Sequence, residues 1–245
     1  MKICISVEST VDLSKELIDR FNIKSVPFQV LLGETSYLDG EIDPTEIFKY
    51  VDEKKVLPKT SAVNEFQFEE HFENILKEYD GLIHISLGSE FSSAYSNAVK
   101  ASETFNKDNK RVCVIDSRSL STGIALLAIY GSELAKEDAD LETVYNKILS
   151  RTKEVQASFV VNTLEYLYKG GRCSALARLG SMLLRIKPQI LVQDGKMVPG
   201  KKYFGKNSHV VEEYCKDTLE EFHTPDLSYG FVTHSPATPE MVEMA

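Results

Sequence analysis

Residues 81–96 read GLIHISLGSEFSSAYS, and the join in the middle of this stretch decides the fold. Its first half is a short apolar run bounded by Asp80 and Gly88, the length and composition of a buried strand. Its second half is rich in serine and starts a helix that runs from about Ser92 to Phe105. Upstream, NEFQFEEHFENILKEY (64–79) brings Phe66, Phe68, Phe72, Ile75 and Leu76 close to one face at helical spacing. Downstream, RVCVIDS (111–117) is a strand, followed by helices over roughly 121–137 and 140–153.

The same grammar runs back to the start of the chain. KICISV (2–7) is an apolar strand, and Ser9, Thr10 or Ser14 can cap the amphipathic helix that follows it. SVPFQVLLG (25–33) reads as a second strand, and PTEIFKYVDE (44–53) is a helix with Pro44 in its first turn. Strands alternating with helices of this length predict an α/β fold: an N-terminal domain over residues 1–155, with a mostly parallel sheet covered by helices on both faces.

Past residue 155 the pattern changes. QASFVVNT (156–163) is a strand, LEYLYKGGR (164–172) a short helix ended by a glycine pair, and ARLGSMLLRI (177–186) another helix. PQILVQDGKMVPGKKYF (188–204) is two strands around the hairpin signal Asp194-Gly195. A helix near 209–222, a strand LSYGFVTHS (227–235) and a helix start at TPEMVEMA (238–245) complete a second, smaller mixed-sheet α/β domain over 156–245. The final helix stops after about two turns, so the expectation is a chain that ends inside a domain.

Composition narrows the function. The 245 residues carry a net charge of -9, which disfavours general nucleic-acid binding. The charge is uneven: Lys169 to Lys206 holds nine basic residues against one acid, Asp194, so this segment is +8 and the remainder -17. Such an island steers an anionic ligand or an acidic partner, or is simply solvated surface. Cys4, Cys113, Cys173 and Cys215 lie far apart without metal or disulfide spacing, and packing thiols are the expectation, with no metal. No apolar run approaches the length of a bilayer span, and a cytoplasmic location is expected.

Ligands of open α/β sheets collect beyond the carboxyl ends of the strands. Four segments read as such exits carry hydroxyls: ESTVD (8–12), PKTSAV (58–63), SLGSEFSSAYS (86–96) and DSRSLSTG (116–123). Hydroxyls and helix N-terminal N–H groups suit a carboxylate or phosphate, although a serine also serves simply as a cap. Nothing reads Gly-x4-Gly-Lys-Ser/Thr, and Ser92 in EFSSA is not in a Gly-x-Ser-x-Gly elbow. A base for Ser92 would have to be His84, which alternates with apolar neighbours as a core histidine does, or His234 at a strand exit.

SVESTVDLS (6–14), PKTSA (58–62), ISLGSEFSSAYSNA (85–98), VIDSRSLSTG (114–123) and LEYLYKGGRCSALARLGSMLLRIKPQILVQDGK (164–196) together resemble the DegV family, in the family's order. The resemblance implies a two-domain α/β protein that holds a long-chain fatty acid between its domains, needs no cofactor and is a monomer on its own. It also implies a non-catalytic role: the fatty-acid-binding subunit of a bacterial fatty acid kinase, presenting the carboxylate to an ATP-binding partner for acyl phosphate formation. Carried over by position, the carboxylate hydroxyls fall on Thr60 or Ser61 in KTSA and on Ser92 in EFSSA, with Ser93 beside it as a further carboxylate-binding candidate. Ser93 stands where the family has a glycine.

Lys169 and Arg172, in an intact KGGR, are the implied partner-docking residues. Phe204 replaces an arginine usual after the hairpin, and a late histidine usual in the family has no counterpart. The competing readings are a serine-dependent acyl hydrolase using Ser92 and a DNA-binding regulator using residues 169–206.

Overall fold

The computed structural model describes residues 1–109, 111–137, 139–161, 163–172, 186–221, 225–226 and 228–235. It divides into two compact units, Met1–Gln156 and Ala157–Ala245.

The first unit is built on four parallel strands: β1 (Ile3–Glu8), β2 (Lys24–Val26), β6 (Gly81–Ser86) and β7 (Val112–Asp116), in the order β2-β1-β6-β7. Every residue of β1 and β6 is buried, as expected of parallel strands covered on both faces. On one face lie α3 (Glu65–Leu76) and α4 (Ala94–Phe105); on the other, α5 (Thr122–Leu134) and α6 (Leu141–Arg151), with α1 (Lys15–Phe21) beside α5. Cys4, Leu82 and Val112 pack with Phe68, Phe72, Ala98 and Ala101 in the first of these layers. Fully burying each phenylalanine contributes roughly 1.5–3 kcal/mol.

Helix starts follow local chemistry. Of the three candidate caps for α1, Ser14 performs the task, its Oγ accepting from Leu17 N at 3.3 Å. Asn64 and Gln67 form a reciprocal capping box on α3, and Asp140 caps α6. One residue departs from the expected face of α3. Phe66 is 71% exposed, because it stands two residues from Phe68, some 200° around the helix from the buried stripe.

SVPFQVLLG is two strands rather than one. Pro27 has no N–H to donate, so the ladder on β1 ends at Val26. The chain then enters a separate antiparallel sheet: β3 (Gln29–Leu32) flanked by β4 (Thr35–Leu38) and β5 (Lys59–Ser61). PKTSA is therefore an edge strand of this small sheet and not an exit from the parallel one. Between them, α2 (Pro44–Lys54) is capped by Asp43, whose carboxylate accepts from Thr45 N.

In the second unit, β8 (Ala157–Val160), β9 (Lys187–Gln193) and β10 (Lys196–Tyr203) form a sheet in the order β10-β9-β8, antiparallel at both described ladders. The hairpin signal is realised: Asp194 and Gly195 hold φ of 52° and 76°, the left-handed pair of a two-residue turn. A long helix, α8 (Asn207–Glu221), is clamped to β10 by Asp217, which accepts from Tyr203 Oη at 2.8 Å and pairs with Lys201. The short α7 (Glu165–Gly170) ends on Gly171 at φ 72°. Residues 228–235, expected as a strand, form none, since alternation expresses a burial preference and pairing requires a neighbouring edge. The helices expected at 177–186 and 238–245 lie outside the described residues, apart from Ile186.

Candidate functional site

The chain leaves β1 toward β2 on one side of the sheet, and leaves β6 toward β7 on the other. This reversal of direction makes the space beyond the carboxyl ends of β1 and β6 the place where an open α/β sheet accommodates a ligand. The residues arriving there are Glu8 to Val11 from β1 and Leu87 to Ser93 from β6.

Tertiary partners sort the serines of residues 86–96 into two groups. Ser86 donates to Glu8 Oε1 at 2.6 Å, and Ser89 donates to Asp116 Oδ2 at 2.6 Å. Ser96 donates to the Ser93 carbonyl at 2.8 Å. Ser92 differs: its Oγ accepts from Ala94 N at 3.2 Å, and among the described residues no acceptor takes its proton. Ser93 is exposed at the start of α4 and makes no side-chain cap bond. Ser92 and Ser93 are thus the hydroxyls left to donate to something else.

Thr60 and Ser61 are exposed on β5, opposite Val30 and Gln29. Asn97 Nδ2 donates to the Val63 carbonyl at 2.9 Å, fastening the segment after β5 to the first turns of α4. No hydrogen bond joins the two hydroxyl pairs among the described residues. Ser9 lies outside this set, since it donates to Asp39 Oδ2 at 2.7 Å and accepts from Phe28 N, tying the exit of β1 to the small sheet.

The loop carrying Ser92 has little freedom. Gly88 N donates to the Ser119 carbonyl at 2.9 Å, and Phe91 N returns to the Gly88 carbonyl. A methyl group on Gly88 would meet both the Phe91 ring and the Ser119 carbonyl at 3.1 Å. Gly88→Ala should cost about 1–2 kcal/mol and move Ser92; an unchanged denaturation midpoint would show that the loop gives way freely. Across the rim, Ser121 at the start of α5 holds a strained φ of 50° and ψ of -133°. The Asp12 carboxyl is pushed up by burial, which outweighs the lowering effect of the Ser121 hydroxyl.

Beneath this rim runs a chain of buried polar groups that sequence reasoning did not assemble. Glu8 Oε1 faces His84 Nε2 at 3.1 Å, His84 Nδ1 faces Ser6 Oγ at 2.9 Å, and Ser6 Oγ faces His71 Nε2 of α3 at 2.8 Å. Leu87 N donates to Glu8 Oε2 at 2.9 Å. With Glu8 as acceptor, one proton order satisfies every member. His84 carries hydrogen on Nε2, Ser6 donates to the bare Nδ1, and His71 donates to Ser6. Burial, with the neighbouring His84 second, drives the His71 pKa down to about 3.

Ser6, His84 and Glu8 are bonded in the order of a hydrolytic triad, yet all three are 0% exposed, so no substrate reaches Ser6. The signal for this chain was present in the period-two alternation that sets Ser6, Glu8, His84 and Ser86 on one sheet face, with Ser6 opposite His84. The hydrolase reading of Ser92 gains nothing. The hydrogen bond of Ser92 Oγ is to a backbone N–H, and His234 Nδ1 lies 2.9 Å from the Ser235 carbonyl oxygen.

In the second unit, Lys169 pairs with Glu165 across one turn of α7, and Arg172 Nη1 donates to the Gly170 carbonyl at 2.7 Å; both side chains are exposed. Cys173, Arg178 and Arg185 lie outside the described residues. Burial pushes the Cys4 thiol up to about 12, which makes it an inert packing group. Among the described residues no cluster of three His, Cys, Asp or Glu could hold a metal, and no helix is long and apolar enough to cross a membrane.

Comparison with known proteins agrees with this architecture. The model of the DegV family of uncharacterised proteins matches residues 2–231. A DegV domain-containing protein of Caldanaerobacter subterraneus is 32% identical, over 90% of this chain and 79% of its own length. A fatty acid-binding protein of Thermotoga maritima is 30% identical, over 90% of this chain and 78% of its own. Among solved structures, a DegV family protein of Thermus thermophilus described as binding fatty acid superposes with a TM-score of 0.82 at 29% identity, covering 90% and 78% of the two chains. From the match along nearly its whole length, the parallel sheet with its hydroxyl-bearing exits and the smaller antiparallel sheet, this chain belongs to the DegV family.

Proposed function

We propose that this protein binds a long-chain fatty acid, with Ser92 and Ser93 and the β5 hydroxyls of Thr60 and Ser61 receiving its carboxylate. The protein then presents the acid to a separate ATP-binding kinase subunit. The observation that carries the reading is the uncommitted proton of Ser92 at the β1/β6 switch point, on a serine that no base contacts among the described residues. Such a hydroxyl is a donor to an anion and not a nucleophile. The fatty acids attributed to relatives from Thermotoga maritima and Thermus thermophilus supply the ligand class.

The division of labour is physical. Hydroxyls orient one end of the ligand, while each buried methylene of its tail contributes about 0.8 kcal/mol of affinity. In the kinase step, a carboxylate oxygen of the bound acid attacks the γ-phosphorus of the partner's ATP, and ADP leaves. The carrier contributes position and a stable grip on the acyl chain. Exposed Lys169 and Arg172 offer the kinase subunit a cationic contact.

Lipid extraction of the purified protein followed by mass analysis should yield one fatty acid per chain. Protein that emerges empty from a lipid-replete host and takes up no added oleate would refute the reading. Ser92→Ala should weaken oleate binding by about 1.5–3 kcal/mol, the net worth of one hydrogen bond to a charged group. An unaltered oleate affinity would remove Ser92 from the site. Arg172→Ala should leave oleate binding unchanged and slow acyl phosphate formation in the presence of the kinase subunit.

A further inference from the structure

The two sets of hydroxyls assigned to the carboxylate come from different sheets. Ser92 and Ser93 follow β6 of the parallel sheet, whereas Thr60 and Ser61 belong to β5, an edge strand of three residues in the small antiparallel sheet. β5 is exposed along its whole length, and among the described residues it pairs with β3 alone. Groups that share one ligand have to be held to about 0.5 Å, and an exposed edge strand of this length does not supply that by itself.

Asn97 spans the gap. Asparagine is a weak helix former, so its place inside α4 asks for a reason beyond the helix itself. It stands one turn past Ser93, and its backbone N donates to the Ser93 carbonyl at 3.0 Å. Its Nδ2 donates to the Val63 carbonyl at 2.9 Å, two residues past Ser61. Both ends of this bond are stiff. Val63 is 1% exposed and packs with Ala94 and Ala98 of α4, and the next residue, Asn64, is closed into the capping box of α3. The Ser93 carbonyl also accepts from Ser96 Oγ at 2.8 Å.

Among the described residues, one other hydrogen bond joins α4 to the stretch from β5 through α3. It runs from Thr104 Oγ1 to Glu69 Oε1 at 2.8 Å, exposed and near the far end of α4. A helical turn is about 5.4 Å and two extended residues about 7 Å, so slack at the Asn97 bond is slack at both hydroxyl pairs.

We propose that Asn97 is a positioning residue of the fatty-acid site: through the Val63 carbonyl it holds the β5 hydroxyls in register with Ser92 and Ser93, so that one carboxylate is gripped from both sheets. This rests on the fatty-acid reading above and adds the side chain that joins two half-sites into one. Asn97 acts through these hydroxyls and not on the ligand.

The test is oleate affinity of the full chain, read by calorimetry. Asn97→Leu, close to asparagine in shape but without its donor, should weaken oleate by about tenfold. Thr60→Val combined with Ser61→Ala should weaken it similarly in the parent and by less than about twofold in the Asn97→Leu background, where those hydroxyls are already out of register. Ser92→Ala should keep its full effect in both backgrounds. Asn97→Gln, which retains the amide donor, should restore most of the affinity. A residue that only stabilised the fold would produce neither the coupling nor the rescue. A further readout needs no substitution: oleate added to the parent should slow backbone hydrogen exchange at residues 59–64 and 92–97 together. Full additivity of Asn97→Leu with the β5 changes, equal losses in Asn97→Leu and Asn97→Gln, or protection confined to one of the two segments would each overturn the assignment while leaving oleate binding by the parent intact. A parent that takes up no oleate would overturn the fatty-acid reading, and the role of Asn97 with it.

Discussion

Glu8→Ala is expected to lower the unfolding free energy by about 3–5 kcal/mol, because it strips a buried acceptor from three donors at once. His84 Nε2–H, Ser86 O–H and Leu87 N–H all converge on this carboxylate, and Glu8 and both neighbouring side chains are 0% exposed. The alanine methyl satisfies none of them. Glu8→Gln retains an oxygen acceptor and should lose about half as much; Ser86→Ala removes a single donor and should lose roughly 1 kcal/mol. Urea denaturation with an unchanged m-value measures the series directly. The loss should also reach the ligand, since Leu87 starts the loop that ends at Ser92. A Glu8→Ala protein within about 1 kcal/mol of the parent would mean that water enters and replaces the carboxylate, and that the buried chain holds nothing in place.

The second large effect is on pH dependence, and it runs through His71. Burial and His84 lower its pKa to about 3 in the folded protein, against the ordinary histidine value near 6.5 in the unfolded chain. Above pH 6.5 the imidazole is neutral in both states and folding is unaffected. As the pH falls below 6.5 the unfolded chain takes up a proton that the folded protein refuses, so stability is lost from there down to about pH 3. The linkage amounts to about 2 kcal/mol between pH 7 and pH 5, and about 3 kcal/mol by pH 4. In His71→Gln the amide N–H replaces the donor to Ser6 and has no proton to gain. The difference in unfolding free energy between parent and variant, measured from pH 7 to 4, should therefore grow by those amounts. Parallel curves would show that His71 titrates freely in the fold.

Much of the first unit was legible because its cues are local. The apolar runs of β1, β6 and β7, the capping residues Ser14, Asn64 and Asp140, and the Asp194-Gly195 turn each act on neighbours a few positions away. The errors were of a different kind. Pro27 divides one apolar run between two sheets, and β4 and β5 leave no apolar pattern in the sequence because neither has a core face of its own. Phe66 is apolar like the residues of the buried stripe, but its helical angle carries it into solvent.

The candidate site shows the same boundary more sharply. By itself the sequence determined that hydroxyls cluster where strands end, that the chain alternates into a parallel sheet, and that it resembles one family. It could not say which hydroxyls are spoken for. Ser86 and Ser89 are three positions from Ser89 and Ser92 and chemically identical to them, yet the first two are consumed by Glu8 and Asp116 while Ser92 keeps its proton. Only the tertiary structure decided this, as it decided that Ser6 meets His71 and His84 across 65 and 78 residues of chain. The reason is that strand and helix preferences act through the backbone nearby, whereas a side chain's partner is set by sheet register and by which helix packs over it.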